Sequence, residues 1–126
     1  IKRITSVNDF DLRSSNVSLL KSFEKNEDNT SLIPKNLVEI DFTVGNSDVL
    51  VDFYVVLRRE NNSRSVVIDG AVHSKDIDST QLFSSYRYLS KVKTSVGLIS
   101  YFIVPITKIG NRGPIISAGN IILRGN

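Results

Sequence analysis

The chain predicts a mainly β fold: an antiparallel β-sandwich or partly open, jelly-roll-like barrel with one or two short helices. Three observations predict it. Apolar and polar residues alternate over residues 38–44, the period of two that a half-buried strand requires. Further apolar runs recur at residues 49–57, 66–72 and 96–106, separated by short polar turns. Strands do not alternate with long helical periods, which argues against a doubly wound nucleotide fold.

In chain order, residues 1–23 carry no clean period. Asn16 is placed to cap a short helix bearing Val17, Leu19, Leu20 and Phe23, because its side-chain oxygen accepts from a free backbone N–H. Residues 25–31 (KNEDNTS) are polar and read as a loop. Val38, Ile40, Phe42 and Val44 then alternate with Glu39, Asp41 and Thr43 in a strand. Gly45-Asn46-Ser47-Asp48 has turn composition, so this strand and the next are predicted to form a hairpin. In that next run, VLVDFYVVL, only Asp52 is charged, which predicts burial on both faces.

After the polar turn at 59–65, Val66, Val67, Ile68 and Val72 predict a third strand with Gly70 at a bulge. Leu82, Phe83, Tyr86 and Leu89 share one helical face and predict a helix starting within residues 76–80. Residues 96–106 (VGLISYFIVPI) predict a central strand, its ladder interrupted near Pro105, which has no backbone donor. KIGNRGP at 108–114 is a turn, and Ile115, Ile116, Ile121, Ile122 and Leu123 predict two short strands or one bent at Gly119.

With 126 residues the chain is sized for one domain, residues 1–126. It starts at Ile1 and contains no Met, so it is expected to be part of a longer chain. Absence of cysteine removes disulfides, thiolate metal sites and cysteine nucleophiles, and a single histidine removes multi-His metal sites. No apolar run approaches the roughly 20 residues of a membrane-spanning helix, and no signal-peptide pattern opens the chain.

Candidate chemistry is sparse. His73, Ser74 and Asp76 are triad-type residues, but as sequence neighbours they do not converge as a triad must. Asp69, Asp76 and Asp78 are the set a small metal-dependent hydrolase would use for Mg²⁺. A restriction-type nuclease would want an acid and a lysine two residues apart, and the chain has no Glu-x-Lys. Helix capping by Asp76 or Asp78 is the plainer role. Gly110-Asn111-Arg112-Gly113 lacks the Lys-Ser/Thr of a phosphate loop. Asn16, Asn29 and Asn61 each open a glycosylation triplet, which matters only in a secreted protein. The reading is non-enzymatic, with no catalytic residue, metal or cofactor assigned.

Charge placement says more than the formal net charge of +3. All 13 acids lie in residues 1–78, where they outnumber the bases by three. Residues 79–126 hold no acid and six bases: Arg87, Lys91, Lys93, Lys108, Arg112 and Arg124. Phe83, Tyr86, Tyr88, Tyr101 and Phe102 are interleaved with them. Cations on phosphates release counterions and aromatic faces stack on unpaired bases, so these six are the candidate contacts for single-stranded nucleic acid or another polyanion. The alternative is that basic strands pair with acidic ones and the aromatics are core.

From residue 37 to 105 the order of features resembles the core of plant-virus cell-to-cell movement proteins. The pieces are LVEIDFTV and VLVDFYVVL, then VVIDG with Asp69 in the family's hydrophobic-x-Asp element, DIDSTQLFSSYRYLSKVK, and YFIVP ending at Pro105. Gly119 or Gly125 fills the family's downstream glycine. A second likeness, through VEIDF and IGNRGP, is to matrix proteins of negative-strand RNA viruses. The first resemblance implies a non-enzymatic β-sandwich related to viral jelly-roll capsid proteins, binding single-stranded nucleic acid without sequence preference at plasmodesmata. The leading expectation is thus a viral-type β-domain that binds single-stranded nucleic acid or self-assembles as a homo-oligomer. The alternatives are a structural or adhesive protein-interaction module (coat, matrix, pilus or protruding domain) and the metal-dependent hydrolase.

Overall fold

Alternating side chains organise the chain into seven strands, with no helix among the described residues. The structure is a computed structural model and describes residues 10–25, 27–45, 51–75, 82–91 and 97–124. The strands are β1 (Leu12–Lys25), β2 (Leu32–Gly45), β3 (Val51–Glu60), β4 (Val67–His73), β5 (Phe83–Leu89), β6 (Gly97–Thr107) and β7 (Ile116–Leu123). They form two antiparallel sheets, of order β1-β2-β5 and β4-β3-β6-β7.

The sheets pack face to face and do not close into a barrel, as expected of a sandwich. This three-plus-four order differs from the two equal sheets of a jelly roll. Val38, Ile40, Phe42 and Val44 of β2, with Tyr86 and Tyr88 of β5, line one inner face. Tyr54, Val56, Ile99, Tyr101, Ile103, Ala118 and Leu123 line the other. The Phe42, Tyr54 and Tyr86 rings meet between the sheets with centroids 5.1 to 5.6 Å apart, a range in which aromatic pairs add to plain area burial.

Several expectations are corrected. The two alternating runs do not form a hairpin: β2 pairs with β1 and β5, β3 with β4 and β6, so they lie in different sheets. The turn predicted between them falls partly at residues 46–48, outside the described residues. Neither short helix forms. Asn16 and Val17 sit in β1, which pairs with β2 without interruption from Ser14 opposite Thr43 to Lys25 opposite Leu32. Ser14, Ser15, Asn16 and Ser18 favour helix interiors poorly, and a long partner strand satisfies their backbone groups.

The second predicted helix is β5 from Phe83 onward, and its predicted start lies outside the described residues. Ser84, Tyr86, Tyr88 and Ser90 are buried while Phe83, Ser85, Arg87 and Leu89 are exposed. Period two, carried by two large aromatics, wins over helical spacing. β3 is not fully buried on both faces: Tyr54 and Val56 are buried, whereas Phe53, Val55 and Leu57 on the other side are partly exposed. Other expectations hold. β6 lies between β3 and β7; the β7 ladder stops at Ile103, before Pro105, whereas the β3 ladder runs on through Pro105 opposite Tyr54, so the expected interruption occurs on one side only. β7 is one strand whose register shifts beside Gly119, at φ 129°; a Cβ there would lie 3.1 Å from Val17 of β1.

Candidate functional site

Asp69 is the most heavily bonded polar group between the sheets. The β3–β4 register slips between Val56 and Leu57: Val56 faces Gly70 and Leu57 faces Ile68, which leaves Asp69 as the extra residue. The bulge predicted at Gly70 is therefore real, and it turns Asp69 inward. A Cβ on Gly70 would stand 2.1 Å from the Tyr88 hydroxyl, so this glycine leaves the room that lets Tyr88 reach Asp69.

The Asp69 side chain is fully buried and accepts from four donors. Oδ1 takes Arg58 Nη1 and, at 3.1 Å, Ser90 Oγ; Oδ2 takes the Tyr88 hydroxyl at 2.7 Å and the Lys91 backbone N–H at 3.0 Å. Tyr101 donates to Ser90 Oγ at 2.7 Å, extending the network into β6. One carboxylate thus joins β3 and β4 of one sheet to the end of β5 in the other. Its oxygens are occupied by protein donors, and among the described residues no group of three or more acids or histidines is set to hold a metal. Asp76 and Asp78 lie outside the described residues. His73 ends β4 exposed, its ring edge-on to Phe53 at 6.4 Å, and Ser74 Oγ turns to the Lys75 carbonyl.

The six predicted basic contacts do not share one surface. Arg87, on β5, is tied to the acids of β2: its Nε lies 3.1 Å from both Glu39 Oε1 and Asp41 Oδ1. The hydrogen bond to Asp41 and the charge of Glu39 raise the Arg87 pKa further. Burial, then the hydrogen bond with Asp41, raises Glu39, and the Arg87 charge opposes them. This is the acid–base strand pairing expected as the alternative. With Thr43, Lys75, Ser85 and the Phe42 and Tyr86 edges, Arg87 and Asp41 line a shallow groove of about 450 Å³.

Lys91 is exposed just after β5, its backbone held by Asp69. Arg124 is exposed after β7, at the Gly97 end of β6. Lys108 and Arg112 are exposed in the turn at the Thr107 end, roughly 30 Å away at the rise of a strand. Lys93 lies outside the described residues.

A surface not singled out from the sequence is more distinctive. The outer face of the three-stranded sheet is polar, with cross-strand rows Ser14–Thr43–Ser85 and Asn16–Asp41–Arg87. The outer face of the four-stranded sheet is mostly apolar. Its rows read Ile68–Leu57–Phe102–Ser117, Ala71–Val55–Val104, with Val104 itself buried, and His73–Phe53–Ile106; a polar row, Arg59–Ser100–Asn120, separates these from Leu98–Ile122 nearer one end. Ile68 is 74% exposed and Ile122 62%. Arg59 is the charge within this face, its guanidinium lying 5.5 Å from the Phe102 ring centroid, and Arg112 stands at one corner opposite Ile106. The sequence carried a signal for this surface: β3 and β6 are apolar in both strand parities, a pattern expected of strands covered on two sides.

Compared with known families, characterised proteins and solved structures, the chain matches none.

Proposed function

We propose that this chain is a non-enzymatic β-sandwich module that assembles with other protein through the apolar outer face of its four-stranded sheet. The observation that carries this reading is the contrast between the two outer faces, one with polar, charge-paired rows, the other apolar across β4, β3 and β6 and crossed by a single polar row, Arg59–Ser100–Asn120. Contiguous apolar patches of that extent mark interaction sites on soluble domains. Occupation of every Asp69 oxygen supports the same direction, since it leaves the acid of the viral-type hydrophobic-x-Asp element a structural part.

A second reading, contact with single-stranded nucleic acid, is favoured by Lys108 and Arg112. They stand exposed on one turn with no acid partner among the described residues. One experiment separates the two. Added in purified form to an extract of its source cells, the 126-residue chain is expected to elute well above its own 14.0 kDa. Phe102→Lys should bring it down, and ribonuclease should leave it unchanged. Collapse on ribonuclease with Phe102→Lys unmoved would transfer the role to the cations; elution at the single-chain mass would defeat both.

A further inference from the structure

We propose that the partner on the apolar face is a second copy of this chain, packed sheet on sheet about a two-fold axis. This rests on the contact reading above and names its partner.

Three observations carry it. First, β3 has the sequence of a strand buried on both sides, yet only one side is fully covered and Phe53, Val55 and Leu57 remain partly exposed. The missing cover must be as apolar as the face. An identical face meets that condition, whereas a phosphate backbone or an anionic headgroup would find no charge across most of it.

Second, the size fits. Four strands about 4.8 Å apart make the face roughly 19 Å wide, and a mean length of roughly 30 Å gives a flat area on the order of 600 Å². Side-chain relief brings that toward the roughly 800 Å² per partner of a standard stable interface.

Third, the charges permit it. A face-to-face pair needs an axis lying in the interface plane. Set across the strands at the Val55–Ala71 pair, it sends each Arg59, four residues along β3, to the opposite end of its partner. The two guanidiniums then stand roughly 26 Å apart at the rise of a strand, beyond the ~8–10 Å screening length of physiological salt. The resulting packing, sheets ~10 Å apart at a small angle, repeats the geometry of the domain's own core.

Sedimentation equilibrium of the purified chain over ~1 to 200 µM is the test. The expected result is a mass rising from 14.0 kDa toward twice that value with concentration. Val55→Lys, which sets a charge beside the axis, should weaken pairing by ~100-fold or more while circular dichroism stays native, because a desolvated ammonium has no partner there. Should Val55→Lys not fold, Ile122→Lys on the exposed rim keeps the fold and should weaken pairing by ~10-fold. Thr43→Lys, on the polar outer face, should leave pairing intact. A mass of 14.0 kDa throughout overturns the proposal, as does pairing that survives Val55→Lys and is lost on Thr43→Lys. A monomer that instead floats with phosphatidylcholine vesicles also overturns it. Large species in the source extract beside a purified monomer would overturn the second copy and leave the contact reading standing.

Discussion

At the scale of single residues, Asp69 does what the length of a hydrophobic core cannot. It is a buried charge, and a buried carboxylate persists only if every lone pair is met. Arg58 supplies the counter-charge from β3, while Tyr88, Ser90 and the Lys91 N–H supply the rest from the other sheet. Removing the acid leaves Arg58, itself mostly buried, without that partner. Asp69→Ala is therefore expected to cost about 3–5 kcal/mol in urea denaturation, enough to unfold much of a marginally stable domain. Asp69→Leu with Arg58→Met should recover part of that loss, because an apolar pair removes both desolvated charges together. A cost under ~1 kcal/mol for Asp69→Ala would show that the network is not what joins the sheets. Sequence reading placed Asp69 at the right spot but could not show its role: the four donors come from residues 58, 88, 90 and 91, brought together only by the fold.

At the scale of elements, inward-facing tyrosines tie the two sheets together. Tyr54 on β3, Tyr88 on β5 and Tyr101 on β6 all point between the sheets. Burial is the main cause that raises all three; Tyr101 is pushed up to about 12, with the Ser90 hydrogen bond working against burial. Unfolded tyrosines ionise near pH 10, so the stabilisation from keeping these hydroxyls protonated is complete below pH 10. It is lost as pH rises from there toward the folded values. Absorbance at 295 nm is expected to show these three ionising together with loss of the β circular-dichroism signal; ionisation near pH 10 in an intact fold would contradict their placement. The same elements show what was legible in the sequence. β2, β3, β4, β6 and β7 were readable from period and apolar runs. β5 was not, because Leu82, Phe83, Tyr86 and Leu89 fit a helical face as well as Ser84, Tyr86, Tyr88 and Ser90 fit a strand. β1 was hidden by its serines, and its pairing with β2, not its own composition, makes it a strand.

At the scale of the whole molecule, net charge and its placement along the chain gave a misleading picture of the surface. The acid-free C-terminal third suggested a basic patch, yet Arg87 is neutralised across strands by Glu39 and Asp41, and Arg124 lies at the opposite end of the four-stranded sheet from Lys108 and Arg112. Strand order decides which residues become neighbours, and strand order is not written in local sequence. The apolar excess of β3 and β6 was legible as burial on two sides, but only the sheet order shows that one of those sides faces outward. The central claim is that this outward side is covered when the protein acts. Hydroxyl-radical footprinting tests it directly, comparing the purified chain at ~1 µM with the chain in its source extract. Phe53, Leu57 and Phe102 are expected to lose labelling several-fold in the extract while Phe83, on the polar outer face, does not. Equal labelling of all four in both states would contradict it.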